Sequence, residues 1–260
     1  MNWRLGVVGS PIEHSLSPQL HAAGLALAGL TGVSARYEVA GDDLEGVRSL
    51  LGATVDALSV TMPLKRIVAS LCDELTPAAA SLGIVNSLLV RDSRVWGNST
   101  DGQGFLGAVQ SEFATTVENM HVVVLGAGGS AAAIVDALVE AKVNSIAVHG
   151  RTPAHVDALV ARHPNVVDHM IIYRPVDLIV NTVPVSGRVE SAAVMQGVSR
   201  DTLAMDITYE PRESSWLALH RANGCATANG LAMLAHQAAA QMNWWWGTDF
   251  TGADLRGAIE

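Results

Sequence analysis

Lys65 and Asp101 are the two side chains in this sequence best suited to moving a proton between a secondary alcohol and its ketone. Lysine is scarce: Lys65 and Lys142 are the only two. Lys65 follows Ser59-Val60-Thr61-Met62-Pro63-Leu64, where Pro63 reads as the first residue of a helix. That puts Lys65 in a first helical turn, where the macrodipole disfavours a cation by about 0.3–1 kcal/mol, so stability alone does not choose it. Asp101 ends the run Gly97-Asn98-Ser99-Thr100 at a loop-to-helix junction, where an N-cap is its simplest role. Presented beside Lys65, its carboxylate completes a pair able to give and take a proton. Asn86 interrupts the apolar run Ile84-Val85-Asn86-Ser87-Leu88, and a buried amide there needs partners or a ligand.

Two further segments have the chemistry of anion binding. In Gly9-Ser10-Pro11-Ile12-Glu13-His14-Ser15-Leu16-Ser17-Pro18, Ser17 and Pro18 read as N-cap and first helical residue. Ser15 has no such structural duty, and two hydroxyls one residue apart beside helix N–H groups form a corner for a carboxylate. In VVVLGAGGSAA, Gly126, Gly128 and Ala131 form a GxGxx(G/A) pattern that leaves an apolar strand and opens a helix. Gly126 permits the tight turn, Gly128 lets the backbone approach a pyrophosphate, and Ala131 lets helix and strand pack closely. About 20 residues on, where an acid would bond a ribose 2′-hydroxyl, stands Arg151 in His149-Gly150-Arg151-Thr152. A guanidinium suits a 2′-phosphate, which favours NADP over NAD.

The elements that must position these groups follow from hydrophobic rhythm. From Val122 onward, short apolar runs (Val122–Leu125, Ile146–Val148, Leu178–Val180, Leu203–Met205) alternate with helical patterns such as Ala131–Val139 and Pro153–Arg162. That alternation signals a parallel sheet covered on both faces. Upstream, candidate strands are Leu5–Val8, Arg36–Val39, Leu58–Val60 and Val85–Val90, with helices after Ser17, Thr61 and Asp101. A new strand-turn-helix unit opens at Val122, so the domain change lies near Gly102–Asn119. From Asn229 the chain reads as one long helix, with Gly230, Met233, Gln237 and Gln241 along one stripe.

The 260 residues suffice for one large or two modest domains, and with 49% hydrophobic and 16% charged residues the chain is not disordered. A net charge of −9 speaks against nucleic acid or an anionic membrane as partner. Mean hydropathy is +0.28, yet no apolar run reaches the roughly 18 residues of a spanning helix. The N-terminus lacks a signal-peptide pattern. Cys72 and Cys225, far apart and without CxxC company, read as reduced core residues of a cytoplasmic protein.

GSPIEHSLSP, VTMPLK, GIVNSLL, STDG, LGAGGSA and NGLAMLAHQAA, in this order and spacing, resemble the shikimate dehydrogenase family over nearly the whole chain. The resemblance implies an α/β chain with an N-terminal substrate-binding domain (1–101, completed by 229–260) and a Rossmann-type NADP domain (102–228). The C-terminal helix would return to the first domain. It implies NADPH-dependent reduction of 3-dehydroshikimate to shikimate, in aromatic amino-acid biosynthesis, by a monomer or homodimer without a metal. Carried over by position, Ser15 and Ser17 bind the substrate carboxylate, and Thr61, Asn86 and Gln237 its hydroxyls. Lys65 and Asp101 are the catalytic pair. Gly126, Ala127, Gly128, Gly129, Ser130, Ala131, Arg151, Thr152, Tyr209 and Gly230 contact the cofactor. Departures are Ser99 and Gly150 where the family commonly has Asn, His155 for a frequent Arg, and Asn229 for a frequent Asp. A quinate/shikimate dehydrogenase using NAD, and a non-catalytic shikimate-binding regulator, stay open as alternatives.

Overall fold

The computed structural model describes residues 2–164, 167–168, 175–184 and 197–260. The chain divides into two compact units, Met1–Gly104 with Leu234–Glu260, and Phe105–Met233.

The first unit contains strands β1 (Asn2–Gly9), β2 (Thr31–Glu38), β3 (Ala57–Val60), β4 (Glu74–Leu75), β5 (Ser87–Arg91) and β6 (Arg94–Asn98), in the sheet order β2-β1-β3-β5-β6-β4. β1 runs parallel to both β2 and β3, whereas β5 is antiparallel to β3 and to β6. Asp92 and Ser93 join β5 to β6 with φ of 52° and 60°. Positive φ at both central residues matches the right-handed twist of a two-residue hairpin. Helices α1 (Ser17–Leu27), α2 (Leu44–Leu50) and α3 (Pro77–Leu82) connect the strands. α3 is delimited at both ends, by Thr76 accepting from Ala79 N and by Gly83 at φ 62°. Val8, Leu58, Val60, Leu64, Val68 and Leu88 are among the buried residues of the core on this sheet.

α4 (Asp101–Phe113) leads into the second unit. Its strands are β7 (His121–Leu125), β8 (Ser145–His149), β9 (Val167–Asp168), β10 (Leu178–Asn181), β11 (Leu203–Asp206) and β12 (Ala226–Ala228), all paired in parallel in the order β12-β11-β10-β7-β8-β9. Counted from β7, the strands run 6-5-4-1-2-3, the Rossmann order, with its switch point between β7 and β10. Helices α5 (Gly129–Glu140), α6 (Pro153–Arg162) and α7 (Ser215–Ala222) serve as connections. The valines of β7 and all four residues of β10 are buried, as expected of strands covered on both faces. On α5 the buried face extends through Ala131, Ala132 and Ala133 to Ile134, Val135 and Leu138; the alanines leave room for close approach.

α8 (Leu231–Trp246), from Leu234 onward, and α9 (Gly252–Arg256) complete the first unit. On α8, Gln237 and Gln241 are buried together with Met233 and Trp245. Cys72 and Cys225 are both free. Among the described residues no helix is long and apolar enough to cross a membrane.

Candidate active site

In the first unit, Lys65 Nζ donates to Asp101 Oδ2 at 2.5 Å, and the two side chains are only 15% and 5% exposed. The other carboxylate oxygen accepts from Asn86 Nδ2 at 2.7 Å. That amide nitrogen also reaches Thr100 Oγ1 at 3.0 Å and Gln237 Oε1 at 3.3 Å, while Asn86 Oδ1 accepts from Thr100 N at 2.8 Å. Four sequence-selected residues, Lys65, Asn86, Asp101 and Gln237, thus form one hydrogen-bonded cluster. Thr100, which is 1% exposed, is a member that sequence reasoning passed over. Its place directly before Asp101 was the available signal. Burying a lone carboxylate or ammonium costs several kcal/mol, so a pair at this depth needs the geometry seen here.

The elements explain the convergence. Parallel β1 and β3 end at the same edge of the sheet, and Thr61 continues that ladder by donating its N–H to Val8 O at 2.9 Å. Asn86 stands immediately before antiparallel β5 at this edge, where its carbonyl accepts from Val60 N at 2.7 Å and its N–H donates to Asn98 O at 3.0 Å. Gly9 lies so close to Thr61 that a Cβ on it would fall 2.4 Å from the threonine methyl, which brings the loop after β1 against the turn after β3.

Two local expectations need correction. No α-helix follows Thr61: the chain turns through residues 62–66 into a 3-10 helix, Ile67–Leu71. The cause is long-range, because Lys65 O accepts from Val85 N at 2.8 Å instead of from an amide one turn ahead. The helix macrodipole therefore gives no account of Lys65; its partner Asp101 does. Ser17 is not the N-cap of α1 but its first residue, with Leu16 at the cap and Pro18 one position further in than expected. Ser15 Oγ accepts from Ser17 N at 3.3 Å and lies 3.3 Å from Ser17 Oγ, so the pair closes its own turn. Arg36 steadies this loop by donating to Ser15 O from Nε at 2.9 Å and from Nη2 at 2.6 Å. No hydrogen bond among the described residues links Ser15 or Ser17 side chains to the Lys65 cluster.

In the second unit, the loop after β7 has the form a dinucleotide phosphate requires. Gly126 has φ +111°, and a Cβ there would fall 2.1 Å from Thr182 Oγ1; only glycine fits. Gly128, by contrast, has no atom of the described residues within 4 Å of where a Cβ would stand. It is the N-cap of α5, with no side-chain cap and no acid in the first turn. The first intrahelical bond runs from Ala132 N to Gly128 O at 3.0 Å, so the amides of Gly129, Ser130 and Ala131 precede the ladder at the positive end of the helix. Ala127, Gly129 and Ser130 are half-buried. Such a loop fits a pyrophosphate.

Arg151 and Thr152 are exposed beyond the end of β8, and Thr152 caps α6 without a side-chain hydrogen bond. The guanidinium of Arg151 has no hydrogen bond or ion pair among the described residues. Two residues earlier, His149 has a buried Nε2 that meets no partner among the described residues, and burial pulls its pKa down. Gly150 packs on the loop after β7: a Cβ would lie 3.2 Å from Ala127 Cβ and 3.0 Å from a Val156 methyl, so a family-like Asn would press on these two side chains. Tyr209 is half-buried, three residues past β11. Gly230 is required by packing, since a Cβ would fall 1.9 Å from Ile207 O. Asn229 caps the start of α8, accepting from Leu231 N at 3.1 Å. No cluster of three or more His, Cys, Asp or Glu placed to hold a metal occurs among the described residues.

Comparison with known proteins gives these units a relationship. Residues 7–88 match the family model "Shikimate dehydrogenase substrate binding domain", and residues 108–212 match "Shikimate / quinate 5-dehydrogenase". The chain is 35% identical to the shikimate dehydrogenase (NADP(+)) of Roseobacter denitrificans, with 97% of each covered. It is 36% identical to that of Methylobacterium radiotolerans, over 94% of this chain and 91% of the relative. Among solved structures, shikimate 5-dehydrogenase from Thermus thermophilus in complex with NADP(H) and shikimate superposes with a TM-score of 0.87 at 29% identity, covering 98% of each chain.

Proposed function

This chain belongs to the shikimate dehydrogenase family, and we propose from that premise that it reduces 3-dehydroshikimate reversibly to shikimate with NADPH, its Lys65–Asp101 pair handling the proton. It is an NADP-dependent oxidoreductase acting on a CH–OH group, in the shikimate route to aromatic amino acids. The observation that supports the site assignment best is the cluster in which Lys65, Asp101, Asn86 and Gln237 hold one another within hydrogen-bond distance.

Ser15 and Ser17, beside the N-terminus of α1, take the substrate carboxylate. Thr61, Asn86 and Gln237 take its ring hydroxyls. Bound NADPH supplies the hydride that reduces the ketone carbon. As that carbon gains its hydrogen the oxygen gains charge, and the Lys65–Asp101 pair delivers a proton to it; in the oxidative direction the pair removes the same proton. Asp101 keeps the lysine aligned through Oδ2 while Asn86 holds Oδ1, so Lys65 is presented in one orientation. The loop Gly126, Ala127, Gly128, Gly129, Ser130 and Ala131 holds the pyrophosphate. Arg151 and Thr152 hold the 2′-phosphate, and Tyr209 and Gly230 line the cofactor site further along. Residues 1–101 with 229–260 serve the substrate, and residues 102–228 serve the cofactor. The protein works in the cytoplasm as a monomer or homodimer, with small molecules rather than nucleic acid or membrane as partners.

Steady-state oxidation of shikimate and of quinate, each with NADP+ and NAD+, tests this reading. Turnover is expected to be highest with shikimate and NADP+. No turnover in any combination defeats the enzyme assignment, and faster turnover of quinate with NAD+ replaces it with the NAD-linked alternative.

A further inference from the structure

Beneath the cluster, the first unit contains a second buried row of polar groups that the reaction does not use directly. His21 on α1, Ser59 on β3 and Gln241 on α8 are 0%, 5% and 1% exposed. His21 Nδ1 lies 2.7 Å from Ser34 Oγ and its Nε2 lies 2.9 Å from Ser59 Oγ. Ser59 Oγ donates to Gln241 Oε1 at 2.7 Å, and Gln241 Nε2 donates to the carbonyl of Asn86 at 3.0 Å.

Every proton in this row has one place to be. Gln241 uses its amide N–H on Asn86, so its oxygen faces Ser59 and can only accept. The Ser59 hydroxyl proton is thereby committed, and Ser59 Oγ must accept from His21 Nε2–H. A neutral imidazole protonated at Nε2 has a bare Nδ1, which accepts from the Ser34 hydroxyl. Burial pushes the His21 pKa down to about 3, which keeps the ring neutral and this tautomer intact. A fully satisfied buried row of this kind is rigid, and breaking one link leaves a polar atom unpaired.

The row also has a spatial rule. His21 is four residues after Ser17, one turn along the same face of α1. Gln241 is likewise one turn after Gln237 on α8. Ser59 is two residues before Thr61 along an extended chain, hence on the same side. The fourth contact, Asn86, is bonded directly by Gln241. Each member of the row therefore stands one structural repeat below a residue assigned to the substrate, and links α1, β3, α8 and the start of β5 to one another.

We propose that His21, Ser59 and Gln241 are positioning residues, a hydrogen-bonded floor that sets the spacing of Ser17, Thr61, Asn86 and Gln237 and so fits the site to a carboxylate and ring hydroxyls of one stereochemistry. The assignment rests on the shikimate dehydrogenase reading. Ser59→Ala removes one hydroxyl, Gln241→Met keeps length without hydrogen bonds, and Ser59→Thr retains the hydroxyl. For the first two, KM and Kd for shikimate are expected to rise about tenfold, within the range that small misplacements of a site produce. KM for NADP+ should stay within about twofold of the parent. The double variant should be little worse than either single one, because both cut the same chain, and Ser59→Thr should restore most of the loss. Both constants are read from the folded fraction alone, Kd by quenching of tryptophan fluorescence, so partial unfolding does not mask the result. Parent-like shikimate constants in folded Ser59→Ala and Gln241→Met overturn the proposal, as does an equal rise in KM for NADP+, which would mark general loosening. Absence of shikimate turnover by the parent itself defeats the functional reading instead.

Discussion

Lys65 Nζ and Asp101 Oδ2 meet at 2.5 Å across 36 residues of sequence, and Asn86 holds the second oxygen of the same carboxylate. The acid is thus held through both oxygens, and it presents the Lys65 ammonium in one orientation. Lys65→Met is expected to lower kcat for shikimate oxidation by roughly 10²–10⁴-fold, the usual contribution of a positioned proton-transfer group. Shikimate Kd, measured by tryptophan fluorescence, should change far less, since the interaction is made mainly in the transition state. Unchanged kcat removes Lys65 from the chemical step.

Gly126 and Gly128 are two residues apart and should respond oppositely. A methyl at Gly126, with φ +111°, runs into Thr182 Oγ1, so Gly126→Ala should destabilise the fold by about 1–3 kcal/mol. Gly128→Ala meets nothing within 4 Å at a backbone φ of −84°, and should leave stability within about 0.5 kcal/mol of the parent. It should nevertheless weaken NADP+ binding, because the methyl would occupy the open space in which the pyrophosphate is proposed to lie. Urea unfolding and NADP+ titration separate the two effects. Full NADP+ affinity in Gly128→Ala argues against the phosphate cradle.

The same contrast explains which features were legible in sequence. The β7–Gly126–α5 unit could be read because its determinants are local: a continuous apolar strand, a glycine forced by backbone angle, and small residues on the next helical turn. The Lys65 segment misled for the complementary reason, since Pro63 is a sound local signal for a helix but the Lys65 carbonyl is claimed by Val85, just ahead of β5. β4 and β6 escaped notice because they are two and five residues long and, as in Arg94-Val95-Trp96-Gly97-Asn98, lack a clean alternation. Asn86 was legible as a buried amide in an apolar run. Its floor was not, because the Ser59–Gln241 bond spans 182 residues and the His21–Ser59 bond 38. Such pairings have no periodic signature.

Acid should weaken the fold through the histidines. Burial carries His21 from an ordinary 6.5 down to about 3, so between these values the unfolded chain binds a proton that the folded chain refuses. Its contribution is complete above 6.5 and is lost as pH falls toward about 3, at up to roughly 1.4 kcal/mol per pH unit. Burial moves His149 and His220 in the same direction. Unfolding free energy measured in urea should decline below pH 6.5, and more shallowly in His21→Gln than in the parent. Equal slopes would show that His21 is not buried as a neutral ring.

The net charge of −9 bears on how anionic ligands arrive. A field of that sign opposes both a carboxylate substrate and NADP+, so capture would fall to the local groups proposed above: the amides at the start of α5, Ser15 and Ser17, and the guanidinium of Arg151. Raising ionic strength from roughly 0.01 to 0.15 M shortens the Debye length from about 30 to about 8 Å, which screens the distant repulsion before it screens contact interactions. Accordingly, kcat/KM at subsaturating NADP+ should hold steady or rise modestly over that range. In Arg151→Ala the contact attraction is gone while the repulsion remains, so KM for NADP+ should be higher at every salt concentration and its relative improvement with salt larger. A steep fall of kcat/KM with salt in the parent would mean that local positive potential governs the approach, and that the overall charge does not.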